Sequence, residues 1–237
     1  KWQGQCHACG EWNSLSRVAI SPVAGSAASH QALGFAGVDA QIQKLSDVEA
    51  LDSQRIGSGF NELDRVLGGG FVPGSVVLIG GDPGAGKSTL LLQACTKLAT
   101  DHGVLYVTGE ESLQQLALRA QRLKLPMDGL SVAAETRAEV IASHIAAQKP
   151  QVVVLDSVQV LQMEGLDSTP GSVTQVRETA AFFTRLAKQQ DVVIILVGHI
   201  TKEGGLAGPK VLEHMIDCFM MLDLSLIHIS EPTRRDP

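Results

Sequence analysis

The run Gly81-Asp82-Pro83-Gly84-Ala85-Gly86-Lys87-Ser88, with Thr89 directly after it, has the residue types and spacing of a phosphate-binding P-loop. Glycines at these positions let the backbone wrap a phosphate so that successive N–H groups point inward, and a helix opening at the lysine adds a favourable dipole. Lys87 is expected to neutralise the β- and γ-phosphates of ATP, and Ser88 to ligate Mg²⁺ through its hydroxyl. Asp156, closing an apolar run, is expected to hold the same ion through water. Hydrolysis also needs a carboxylate to orient or activate the attacking water, and Glu110 is the candidate, with Glu111 as its neighbouring competitor. The alternative for Glu110 is a helix N-terminal carboxylate interacting with the dipole of the following helix. His199, in Gly198-His199-Ile200-Thr201, is either a sensor of the γ-phosphate or an ordinary loop histidine.

Such a site works only if strands and helices bring these residues to one edge. Short, nearly continuous apolar runs at 76–79, 104–107, 152–155 and 192–197 are rich in β-branched residues, as strands buried on both faces of a parallel sheet should be. Between them, 88–98, 112–123, 137–147 and 173–189 carry apolar residues at three- and four-residue spacing, the pattern of helices covering a sheet. The P-loop therefore follows a predicted strand and opens a predicted helix. Glu110 lies just past another strand, at the edge where ligands bind in such α/β sheets.

With 237 residues, 44% of them hydrophobic, the chain has room for one sizeable α/β domain and a small appendage. A net charge of −6 neither establishes nor excludes a nucleic-acid partner, since a local basic groove is compatible with it. No apolar run reaches the roughly 20 residues of a membrane span, and the start has no secretory pattern, so a cytoplasmic protein is expected. Cys6-His7-Ala8-Cys9 and the isolated Cys95 and Cys218 do not form a disulfide framework. Cys95, on an apolar helix, is expected to be core. Residues 1–15 read as a Cys- and Trp-containing piece, 16–54 as a linker poor in hydrophobic period, and 55–223 as the α/β core.

Further motifs carry a resemblance. Arg55-Ile56-Gly57-Ser58-Gly59-Phe60, Glu62-Leu63-Asp64-Arg65-Val66-Leu67-Gly68-Gly69-Gly70, the P-loop, and Tyr106-Val107-Thr108-Gly109-Glu110-Glu111-Ser112 are similar to the RecA-like ATPases. Asp156-Ser157-Val158-Gln159, the stretch from Pro170 to Glu178, Thr201-Lys202-Glu203-Gly204 and the stretch from Ala207 to Met215 narrow the likeness to the bacterial RadA (Sms) family. The resemblance covers most of residues 1–223. It implies an α/β RecA-like P-loop core, with a mostly parallel sheet flanked by helices, preceded by part of a zinc knuckle. It also implies a DNA-dependent ATPase of recombinational repair, acting on single-stranded and branched DNA as a homo-hexameric ring that drives branch migration. RecA recombinase is an implied partner. Lys202 and Lys210, in loops facing the bore of such a ring, become DNA-contact candidates, with solvated loop lysines as the alternative.

The family begins with two Cys-x2-Cys pairs that hold Zn²⁺, and Cys6 and Cys9 match the second pair. Tetrahedral zinc takes four ligands, so these two alone are expected to hold it weakly or not at all. A redox role for the pair is the alternative. At the other end, residues 224–237 resemble a sequencing adapter translated in frame and are set aside from the fold. The family's later Lys-Asn-Arg-Phe-Gly motif and Lon-like domain are not in the chain, so weak turnover is expected. Two other readings of the core remain: a KaiC-like regulator of protein partners that ignores DNA, and a small-molecule kinase, which lacks a lid-like arginine cluster here.

Overall fold

A computed structural model describes Lys44, residues 54–199, Leu212 and residues 214–222. Within them the chain runs α1 (Asn61–Val66), β1 (Val76–Gly80), α2 (Lys87–Leu98), β2 (Val104–Thr108), α3 (Leu113–Arg122), β3 (Leu130–Ala134), α4 (Ala138–Gln148), β4 (Val152–Asp156), α5 (Val173–Gln190), β5 (Val193–Val197) and β6 (Cys218–Met221). One 3₁₀ turn, Val158–Val160, follows β4. The six strands form one sheet in the order β3-β2-β4-β5-β1-β6, and every pairing is parallel. This is the RecA-like arrangement that the sequence led us to expect.

Burial explains why the four inner strands form here. Every residue of β1, β2, β4 and β5 is buried, so both faces select apolar side chains and the runs read as continuous hydrophobics. The alternation of the strands divides the core into two layers. On one face, Val76, Leu78, Leu105, Val107, Val153, Leu155, Ile194 and Leu196 cluster with Ile141 and Ile145 of α4 and with Val176, Ala180 and Phe183 of α5. On the other, Val77, Ile79, Tyr106, Val154, Ile195 and Val197 cluster with Leu91, Leu92 and Cys95 of α2 and Leu116 of α3. Cys95 is wholly buried, and burial pushes its thiol pKa up, which keeps it an inert packing residue.

Three elements were not expected from periodicity. β3 and β6 stand at the two ends of the described sheet, and both mix partly buried with exposed positions. Their sequences, Leu-Ser-Val-Ala-Ala and Cys-Phe-Met-Met, lack the continuous β-branched signal of the inner strands. α1 has six residues and no side-chain N-cap bond. The expected helices hold within a residue or two, and α3 and α5 open on the serine caps Ser112 and Ser172. No described helix is long and apolar enough to cross a membrane.

Candidate functional site

β1 ends at Gly80, and the P-loop turns from it into α2. Gly84 and Gly86 have φ of +82° and +86°, a conformation that L side chains rarely adopt, and an added Cβ would meet open space at both. Backbone conformation therefore demands glycine at these positions. Gly81 differs: a side chain there would collide with the carbonyl oxygen of Leu222, just after β6. Gly86 is the N-cap of α2 but supplies no side-chain bond, and the first turn of the helix holds no acidic residue. The 12-residue helix thus presents an uncapped, positively polarised N-terminus, the electrostatic complement of a phosphate.

Lys87 opens that helix with only 3% of its surface exposed. Its ammonium donates to the carbonyl oxygens of Gly81 (2.8 Å) and Asp82 (2.9 Å) and lies 3.4 Å from Nδ1 of His199. Burial lowers its pKa below the ordinary lysine range, while the charges of Asp156, Glu110 and Asp82 oppose that shift. Among the described residues it forms no ion pair within 4 Å. A buried cation held by neutral carbonyls beside an uncapped helix end fits an incoming polyphosphate. The half-buried Ser88 makes no side-chain hydrogen bond among the described residues, which leaves its hydroxyl available to a cation.

Three other strands deliver the remaining groups to the same sheet edge. Asp156 is the last residue of β4, is 7% exposed, and accepts a 2.5 Å hydrogen bond from the Tyr106 hydroxyl. Burial and then the Asp156 charge push the Tyr106 pKa upward, so the phenol stays protonated and donates. Glu110, two residues beyond β2, accepts a hydrogen bond from the Ser157 hydroxyl and lies 3.1 Å from Nε2 of His199. His199 follows β5 and bridges Lys87 and Glu110. Because ammonium can only donate, Nδ1 accepts and the Nε2–H donates to the carboxylate. The amide of Gln159 holds the His199 backbone carbonyl at 3.2 Å.

Lys87, Asp156, Glu110 and His199 therefore meet, although up to 112 residues separate them in the chain. Glu111 does not join them: its carboxylate closes on Arg119, and its backbone N–H donates to the Thr108 hydroxyl at 3.0 Å. That separates the two adjacent glutamates, one facing the P-loop and one tying the turn to α3. Tyr106 and Ser157 were missed from sequence. The one available signal was that Tyr106 is the chain's single tyrosine and interrupts an otherwise aliphatic strand. Lys202, Lys210, Cys6 and Cys9 lie outside the described residues.

A family model described as an AAA domain matches residues 41–205. The DNA repair protein RadA of Escherichia coli K12 is 54% identical over 225 residues, covering 94% of this chain and 49% of that protein. Those of Haemophilus influenzae and Bacillus subtilis are 55% and 42% identical, each over 94% of this chain and 49% of theirs. The chain thus spans about half the length of the curated relatives it matches. Among solved structures, one ATPase domain superposes with a TM-score of 0.63 at 18% identity, covering 76% of this chain and 80% of that one, which bears on fold alone.

Proposed function

Since the chain belongs to the AAA domain family and is a homologue of the bacterial RadA proteins, we propose that it is the ATP-hydrolysing core of a DNA-repair motor. The observation that carries this reading is the convergence of the P-loop lysine, a buried strand-end aspartate and a glutamate–histidine pair on one edge of the sheet. Its chemistry is phosphoryl transfer to water. The glycine-rich turn and the α2 N-terminus bind the phosphates through backbone N–H groups. Lys87 leaves the Gly81 and Asp82 carbonyls to pair with the β- and γ-phosphate oxygens. Thr89, next on α2, adds its N–H to the same cradle.

Ser88 and Asp156 would hold Mg²⁺, the first through its hydroxyl and the second through water. When bound, the ion neutralises charge that develops on the phosphates in the transition state. Glu110 accepts the proton of the attacking water as its oxygen bonds to the γ-phosphorus and the bond to the bridging oxygen breaks. Ser157 and His199 fix the Glu110 carboxylate beforehand, and His199 carries the presence or absence of the γ-phosphate into the segment that follows it. Lys202 and Lys210, in that segment, contact DNA in this reading.

Likeness to DNA repair proteins supports DNA repair as the setting. We extend it to single-stranded DNA and branched recombination intermediates, moved by branch migration in a homo-hexameric ring in the cytoplasm, with RecA recombinase as partner. Cys6 and Cys9 belong to the same reading as two of four zinc ligands. Tetrahedral zinc takes four ligands, so two more would have to join them.

The experiment is ATP turnover with and without single-stranded DNA, on this chain, on its Lys87→Met variant and on the full-length E. coli relative. A Lys87-dependent rate that DNA raises supports the motor. A Lys87-dependent rate indifferent to DNA in both proteins overturns it in favour of a nucleotide-driven regulator of protein partners.

A further inference from the structure

Tyr106 has a feature that core packing does not explain. It is fully buried in the apolar layer that contains Leu91, Leu92, Cys95 and Leu116, a setting in which phenylalanine would fill the same space without a polar group. A buried phenol is costly unless its hydroxyl finds a partner. Here the partner is fixed by sheet register. Thr108 of β2 lies opposite Asp156 of β4, and Tyr106 lies opposite Val154, so Tyr106 and Asp156 are diagonal neighbours two residues apart on the same face. A long aromatic side chain spans that diagonal, and its hydroxyl reaches Oδ2 of Asp156 at 2.5 Å. Among the described residues it is the only side chain that hydrogen-bonds to this carboxylate.

We infer that Tyr106 is a positioning residue for the divalent-cation site: by holding Oδ2 it fixes the rotation of the Asp156 carboxylate and leaves Oδ1 for the cation's water. The inference rests on the reading of Asp156 as the cation-holding carboxylate. A carboxylate at a strand end can otherwise rotate about its last bond, and reorganisation on each binding event weakens the site. Partners that orient a ligand in this way commonly change metal affinity by about 10–100-fold when removed.

The test compares the parent chain with Tyr106→Phe, Asp156→Asn and Leu116→Ala, the last thinning the same apolar layer from α3 without removing a polar group. Mn²⁺ is the probe, and its binding in the presence of ADP is followed by the loss of the free-ion paramagnetic resonance signal. ADP affinity and thermal midpoint are measured separately in EDTA. Tyr106→Phe is expected to bind ADP in EDTA as the parent does and to lose about tenfold in Mn²⁺ affinity. Its half-saturating Mg²⁺ for turnover moves up by the same factor. Leu116→Ala is expected to melt earlier but keep the parent's Mn²⁺ affinity. Parent-like Mn²⁺ affinity in Tyr106→Phe, alongside its loss in Asp156→Asn, overturns the inference and leaves the site reading standing. A loss in Leu116→Ala equal to that in Tyr106→Phe also overturns it, because packing alone then accounts for the effect. Parent-like affinity in Asp156→Asn overturns the cation reading itself.

Discussion

Replacing Lys87 with methionine keeps the approximate length of the side chain and removes its charge, and the geometry predicts a small net consequence for stability and a large one for function. In the nucleotide-free protein the ammonium is buried, and desolvation outweighs the attraction of Asp156, Glu110 and Asp82, so its pKa lies below the 10.5 of an unfolded lysine. For a base with a lowered folded pKa, the unfolded chain binds more protons between the two values. The cost to folding is therefore fully present at neutral pH and relieved as pH rises through that window. Methionine carries no such cost. Against this, the variant loses hydrogen bonds to the Gly81 and Asp82 carbonyls, and Asp82 is exposed enough for water to replace one of them. The two terms oppose, and the net change is expected to stay within about 1 kcal/mol, or about 4 °C in midpoint.

Binding behaves differently, because a charge-assisted hydrogen bond to phosphate contributes about 1.5–3 kcal/mol, or about 10–150-fold in affinity. Turnover loses a further factor of about 10²–10³ with the removal of a preorganised positive group at the reacting phosphate. Thermal melts at pH 7.5 and 10, titration with a fluorescent nucleotide and phosphate release measure these quantities. The midpoint difference between variant and parent should shift in the parent's favour at the higher pH. A midpoint lowered by more than about 10 °C with unchanged nucleotide affinity would refute the reasoning, since Lys87 would then be a structural ammonium rather than a phosphate ligand.

Three further outcomes are expected. Glu110→Gln preserves shape and should leave ATP binding intact while slowing phosphate release by about 10²–10⁴-fold; a rate within twofold of the parent removes Glu110 from the chemistry. Phe183→Ala empties a fully buried position in α5, where the ring packs edge-on against Phe182 at 5.2 Å, and should cost about 3–5 kcal/mol by calorimetry. Glu135 accepts from Arg137 and from the N–H groups of Thr136 and Arg137, which hold its pKa down at about 2 against 4.5 unfolded. Its contribution is present above pH 4.5 and lost as pH falls toward 2, so Glu135→Gln should melt earlier than the parent at pH 7 and converge with it in acid.

The legible parts of this molecule are those where local residue choice has a single physical cause. Strands β1, β2, β4 and β5 are buried on both faces, so their β-branched runs could be read directly. β3 and β6 have one side open, which weakens selection at each position, and Met220 and Met221 carry little strand signal. The placing of Lys87, Ser88, Glu110, Asp156 and His199 at one sheet edge was legible because each lies close to a strand end or within the P-loop spacing. Tyr106 and Ser157 were not, because their roles depend on which residue of a strand some fifty positions away lies beside them. Periodicity carries no register between distant strands. Nor does the sequence show that Glu111 turns its carboxylate to Arg119 of α3 while Glu110 faces the P-loop.

The strand order also constrains when the site can come into being. β5 is the fifth strand in the chain, yet it lies between β4 and β1 and pairs with both. Until it is synthesised and inserted, the P-loop strand has no hydrogen-bonded neighbour on that side, and no strand pairing joins β1 to β4, the strand that carries Asp156. Because the pairing of β5 with β1 joins residues more than a hundred positions apart, it is expected to close after the local helix–strand units. A nascent chain that stops short of Val193 can fold fragments but cannot bring its phosphate loop to its carboxylates. Nucleotide capture therefore serves as a readout of completed folding, and ligand present during synthesis should trap the chain only after β5 has closed the sheet.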